Sequence, residues 1–218
     1  MQAQVQEVRQ VQPIAIGQAY DTRFRALVGE VAWRGLPKAV QKRFSKRLAA
    51  AKLAIYPGVI EEVRFSRAGW QLAQLCRVIG APLPLHADKG VPATVSVSED
   101  GASGGQCWTR VYARKRGFPQ VIHSAKRFAG RSGLEEYLGR GIGMALKVVA
   151  IEYGLEFRSD HYFLDIGPVR LRLPHWIGPG RTLVRHRDLG GGHFEFSLRL
   201  DHPLLGELVY QMGVFRDG

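Results

Sequence analysis

The hydrophobic period of this chain changes once and does not change back. Upstream of Pro92 the apolar residues recur at helical spacing, and beyond it they alternate one in two as far as Phe215. Runs at 94–98 and 107–114 flank a polar, glycine-rich turn at 99–106, and a run at 120–128 follows Arg116-Gly117-Phe118-Pro119. Further runs cover 142–152, 155–165, 169–173, 181–188, 193–201 and 206–215. The separators between them are short and rich in Gly or Pro, as at Tyr153-Gly154, Gly167-Pro168, 174–180, 190–192 and 202–206. Connections this short join antiparallel neighbours, because a parallel crossover needs a dozen residues or more. The spacing therefore predicts hairpins and meanders and excludes βαβ units.

About nine to ten such strands must close into a barrel or stack as two sheets. The expected class is α+β: a strongly curved, largely antiparallel, barrel-like sheet with N-terminal helices packed across it. In the last strands Phe194, Phe196, Leu198 and Leu200 alternate with Glu195, Ser197 and Arg199, which gives one apolar face. Leu208, Tyr210, Met212 and Val214 read as the same pattern. Residues 1–20 are polar and glutamine-rich and read as a flexible arm. From Asp21 the helical stripe runs through Phe24, Leu27, Val28 and Val31, and a second through Val40, Phe44, Leu48 and Ala51. Tyr56-Pro57-Gly58 reads as a stop, 59–65 as a strand, and Leu72, Leu75, Cys76 and Ile79 as a third helix. Within the sheet, Ser132 and Glu135 fit a capping box and predict a helical insertion over 132–138. No polar linker separates the halves, so 21–218 is expected to be a single domain, with a helical front at 21–80 and a sheet at 92–216.

Composition narrows the function classes. No run approaches eighteen apolar residues, so no membrane-spanning helix is expected. The N-terminus lacks the basic-then-apolar layout of a signal peptide, which points to the cytoplasm. The net charge is +12 and uneven: residues 22–53 carry nine basic residues against one acid, Glu30. Such a stripe could meet an anionic surface or an acidic partner. No aromatic platform or zinc-finger spacing accompanies it, so nucleic acid is not an expected partner.

Motifs of known chemistry are thin. Gly139-Arg140-Gly141-Ile142-Gly143 lacks the Lys-Ser/Thr of a phosphate loop and reads as close backbone packing. Gly101-Ala102-Ser103-Gly104-Gly105 has the wrong spacing for a nucleophile elbow. No His-x-x-x-His or Cys-x-x-Cys occurs, and His86 near Asp88 or His161 beside Asp160 is a pair and not a ligand set, so neither metal nor cofactor is expected. The informative residues are polar ones inside apolar strands. A cation buried there needs a partner or a ligand anion. The expected site is an apolar cavity in the curved sheet that binds a hydrophobic small molecule, with a carboxylate or carbonyl as its polar end. Trp108, Tyr162, Tyr210 and Met212 would supply walls, and Arg110, Lys126, Arg158, His186 and Gln211 would orient the ligand. A cofactor-independent isomerase, cyclase or hydrolase is the alternative, with His186 or His202 as general base and Arg158 stabilising developing negative charge. A basic interaction module acting through 22–53 is the third reading.

One longer pattern remains. Lys126-Arg127-Phe128, Gly130, Gly133-Leu134-Glu135-Glu136 and Gly141-Ile142-Gly143-Met144 are followed by Phe157-Arg158-Ser159 with Tyr162-Phe163, Leu173-Pro174 with Pro179-Gly180, and Val184 with His186. His202-Pro203-Leu204-Leu205-Gly206-Glu207, Tyr210-Gln211, Gly213 and Phe215 continue it. The whole resembles an uncharacterised bacterial domain-of-unknown-function family whose members stand alone or are appended to dehydrogenase-like or membrane proteins. The resemblance spans about residues 22–217, implies a domain boundary, and brings no reaction and no catalytic residues with it.

Cys76 sits on an apolar helical stripe and Cys107 opens a strand beside Trp108, so both are expected to be reduced thiols. Thiol titration of freshly isolated protein, denatured without reductant, should recover both groups; recovery of neither would contradict the cytoplasmic placement.

Overall fold

The computed structural model describes residues 20–48, 52–174 and 178–218. The expected 1–20 arm lies almost wholly outside the described residues, as does Ala51. The alternating pattern becomes eleven strands: β1 (Ala54–Phe65), β2 (Val91–Asp100), β3 (Gly105–Tyr112), β4 (Gln120–Arg127), β5 (Leu134–Gly139), β6 (Ile142–Ile151), β7 (Gly154–Ile166), β8 (Val169–Arg172), β9 (Arg181–Gly190), β10 (His193–His202) and β11 (Gly206–Arg216). The helices are α1 (Arg23–Val28), α2 (Glu30–Arg34), α3 (Lys38–Phe44) and α4 (Arg67–Leu75), the last running into a 3-10 turn at Cys76–Ile79.

Every pairing is antiparallel. β1 pairs with β2 on one side and β11 on the other, and β7 pairs with both β6 and β9, so ten strands close into a barrel. β8 is extra: it adds to the far half of β7, at Phe163–Ile166, where β9 no longer pairs. Closure leaves an inside and an outside. Val91, Ala93, Val95 and Val97 from β2 and Phe194, Phe196, Leu198 and Leu200 from β10 are buried inward. The outer face carries ionised side chains, among them Arg64, Glu195, Arg187 and Arg199, where a membrane-spanning barrel would show an apolar band. No helix among the described residues is long and apolar enough to cross a membrane.

The N-terminal helices seat over one end of this barrel. Phe24, fully buried, is the plug: its ring meets Phe44 at 5.2 Å, Phe128 at 5.0 Å and Phe157 at 6.1 Å, all edge to face. Arg23 ties α1 to the β2–β3 turn through the Gly104 carbonyl at 2.7 Å and lies 3.9 Å over the Phe128 ring. Arg43 on α3 bridges to Asp188 of β9 and to Asp217 beyond β11. The other end is covered by α4, whose Ser66 cap accepts from Gly69 N–H, and by the segment that leads into β2.

Two local expectations are corrected. The predicted stop at Tyr56-Pro57-Gly58 lies inside β1, so the helical front is interrupted by a barrel strand. Pro57 is tolerated because pairing with β11 starts only at Gly58, and Gly58 is required there because a Cβ would meet the Phe215 ring at 2.4 Å. The predicted helix at 132–138 is β5. Ser132 donates its hydroxyl to the Leu134 carbonyl instead of capping, and the open edges of β4 and β6 take up the segment. The Gly139–Gly143 string packs as expected: a Cβ on Gly139 would meet the Ile79 carbonyl at 2.1 Å.

Phe24→Ala should cost about 3–5 kcal/mol, since it empties the centre of the aromatic plug. Chemical denaturation should show the loss in a single transition if 21–218 unfolds as one unit; a separate early transition in the wild-type protein would contradict that expectation.

Candidate functional site

The inward positions are not all apolar. Register brings Trp108 opposite Ser124, Gln106 opposite Lys126, and Lys126 opposite Glu136. Lys126 and Glu136 form an ion pair at 3.1 Å with both side chains 5% exposed. The ammonium also lies 4.5 Å from the Trp108 ring centre. Arg110, buried one step further along β3, donates from Nη2 to Ser124 Oγ at 3.0 Å, while its Nε has no partner among the described residues. Burial works against ionisation of Glu136, yet the charges of Lys126 and Arg110 hold its carboxyl below the usual range. Burial pulls the Lys126 ammonium down, with Glu136 opposing.

Two further buried groups flank this cluster. Tyr162 shares a 2.6 Å hydrogen bond with Thr182, and burial pushes its phenol up to about 12. Gln211 is buried on β11 and hydrogen-bonded to Tyr112, whose phenol burial also raises.

A cleft enters the barrel beneath α3. Its walls include Phe44, Tyr56, Trp108, His186, Phe194 and Phe196, with Arg43 and Lys46 beside them. Counted out to its open mouth it measures about 500 Å³, but the wholly free space inside is about 30 Å³, room for about two waters. Val95 and Trp108 belong both to this cleft and to the polar cluster, since Val95 pairs with Arg110 and Trp108 lies under Lys126. His186 stacks on Phe194 at 4.5 Å and meets the Phe44 ring edge-on at 5.0 Å. Burial first, and the Arg43 charge second, pull its imidazole down to about 3, and Nδ1 has no partner among the described residues.

A family model described as Domain of unknown function (DUF4166) matches residues 36–215. The chain belongs to this family. The match starts just ahead of α3 and ends in β11, so it takes in the whole barrel and the cleft while α1 and α2 precede it. No curated protein matches the sequence.

In this DUF4166 barrel, Trp108, Arg110, Lys126, Tyr162, His186 and Gln211 turn inward, and Arg158, Tyr210 and Met212 do not. Arg158 was expected to share a face with Tyr162, but β7 carries a bulge: Ser159 pairs with Leu146 and His161 with Ala145, leaving Asp160 over. The extra residue reverses the parity, and Arg158 lies outside, 50% exposed and paired with Glu156. Tyr210 and Met212 pair with Arg64 and Glu62 on the outer face, and Tyr210 lies under the Arg64 guanidinium. The inward set of β11 is Val209, Gln211, Gly213 and Phe215, the opposite parity to the one expected. His202 is at the β10–β11 corner, where its Nδ1 accepts from the Leu204 N–H at 3.2 Å.

Sequence reading missed Glu136, because it sat in the predicted helix; read as a strand, its place opposite Lys126 follows from the hairpin. It also missed Tyr56, Phe194 and Phe196 as cleft walls. The basic stripe at 22–53 is largely engaged: Arg25 and Arg34 pair with Glu30, Arg23 with Asp21, and Lys46 covers the Tyr56 ring.

His186 makes a prediction about pH. Its folded value of about 3 lies below the ordinary 6.5, so below pH 6.5 the unfolded chain takes up a proton that the folded chain refuses. Stability is therefore lost as pH falls, by roughly 2.7 kcal/mol at pH 4.5 from this group. Urea unfolding of wild type and His186→Leu at pH 7 and 4.5 should show a smaller acid loss in the variant; equal losses would place His186 in contact with water.

Proposed function

We propose that this protein binds an amphipathic small molecule that carries an anionic head group. The observation that carries the reading is the charge count inside the barrel. Two buried cations, Arg110 and Lys126, face one buried carboxylate, Glu136, and Arg110 keeps an unpartnered Nε. An arginine in a low-dielectric interior is strongly stabilised by an anion, and a carboxylate matches its planar fork. The apolar body would lie in the aromatic cleft, whose walls reach the cluster through Trp108 and Val95. The cleft is narrow, so entry requires side chains such as Phe44 and Lys46 to swing aside. Its chemistry suits an aliphatic or aromatic acid more than a neutral lipid.

A histidine-based enzyme finds less support. An imidazole held near 3 is a weak base at neutral pH, and His202 serves its own corner.

Calorimetry with decanoate and decanol as probes tests the proposal. Decanoate should bind about ten- to a hundredfold more tightly, the worth of one charge-assisted hydrogen bond. Arg110→Met should abolish the difference while leaving the ligand-free protein at least as stable, because it removes an uncompensated buried charge. Equal affinity for the two probes, or no binding of either, would overturn the reading, and a large drop in stability would show that Arg110 is structurally partnered.

A further inference from the structure

Strand direction sorts the links of the barrel into two ends. The links at 66–90, 113–119, 140–141, 167–168 and 203–205 all emerge opposite the N-terminal helices. They are also joined to one another. The Gly139 position abuts the Ile79 carbonyl, α4 lies on the Leu208 backbone, and Gln120 holds Leu83 and Leu85 by hydrogen bonds through its side chain.

This end exposes large apolar side chains at several separate tips. Phe118 of the β3–β4 link is 93% exposed and Leu204 of the β10–β11 link 87%. Trp70, Leu75 and Val78, on α4 and its 3-10 extension, are more than half exposed, and so is Leu205. Between them stand exposed cations: Arg67, Arg77, Lys89, Lys115, Arg116 and Arg140. The only acid in these links is Asp88, which faces Arg114 and accepts from the Lys115 N–H. At the N-terminal-helix end the arginines Arg23, Arg25, Arg34 and Arg43 are drawn into ion pairs with Asp21, Glu30, Asp188 and Asp217, while Lys38 and Lys42 stand exposed on α3.

We propose that this end of the barrel docks on an anionic phospholipid surface. Apolar side chains standing on separate tips, with charge between them, make a poor protein interface, which needs a contiguous packed apolar centre. They suit a bilayer interface, where each tip can sink among headgroups while neighbouring cations meet lipid phosphates. A tryptophan at the level of the headgroups fits the same surface. The proposal is independent of the lumen site, which lies behind the barrel wall and opens at the opposite end.

Sedimentation of the full chain with vesicles of phosphatidylcholine alone, and of phosphatidylcholine mixed with phosphatidylglycerol, tests it. Binding should appear only with the anionic vesicles and weaken as salt is raised. The triple variant Arg67→Gln, Arg77→Gln, Arg116→Gln should lower affinity roughly a hundredfold, about fivefold per charge. Phe118→Ser with Leu204→Ser should lower it about tenfold at unchanged charge, with an unaltered melting temperature because both side chains are in water. Lys38→Gln with Lys42→Gln, at the other end, should change nothing. Failure to bind anionic vesicles would overturn the proposal. So would loss of binding through Lys38 and Lys42, or a dimer in solution that Phe118→Ser and Leu204→Ser dissolve, since a second copy would then cover these tips.

Discussion

β1 pairs with β2 along one edge and with β11 along the other, and so turns a meander into a ring. An open sheet of this size would leave two long edges with unpaired backbone groups; the ring leaves only short ones, at β8 and beside the three-residue pairing of β4 with β5. Closure also makes the interior finite. Side chains from all ten strands converge on one space, and each inward position competes for it. This is why Gly58 and Gly213 lie under the Phe215 ring and why the space left in the cleft is small.

A finite interior gives polar residues nowhere to escape. Lys126, Glu136, Arg110 and Ser124 are inward because register puts them there, and none can reach water without leaving its strand. The Lys126–Glu136 pair pays much of its own desolvation through contact and through the Trp108 ring face. Arg110 has no such acid of its own. An unbalanced cation is a poor choice for stability alone, and its position beside an aromatic cleft is what connects the electrostatics of the barrel to the binding proposed above.

The ends of the barrel divide the remaining work. At one end the aromatic plug of Phe24, Phe44, Phe128 and Phe157 closes the lumen, and Arg43 fastens α3 to the rim through Asp188 and Asp217. Phe44 belongs both to the plug and to the cleft wall, so access to the cleft and helix seating are mechanically linked there. At the other end α4 closes the barrel with its backbone against Leu208 and packs Leu72 and Ala73 inward, leaving Arg67, Trp70 and Leu75 directed to solvent.

The sequence by itself determined the class of fold. Alternation after Pro92 and short Gly/Pro links can be satisfied only by antiparallel neighbours, and the helical stripes of Phe24 and Phe44 required a surface to cover. It also marked Arg110, Lys126, Tyr162, His186 and Gln211 as polar residues within apolar strands, and the family resemblance rested on strings that span the same strands. Tertiary structure decided what a local pattern cannot encode. Ser132 and Glu135 have the spacing of a capping box, yet 134–139 form β5, because two neighbouring strands offer hydrogen bonds that an isolated helix turn cannot match. Arg158 and Tyr162 are four apart yet face opposite sides, because one bulged residue at Asp160 reverses parity. Tyr210 looks inward by its apolar character, but the register of β11 against β1 turns Gln211 in and Tyr210 out. A strand has two faces of equal local chemistry until its partners are in place, and only the closed ring chooses which of them becomes the inside.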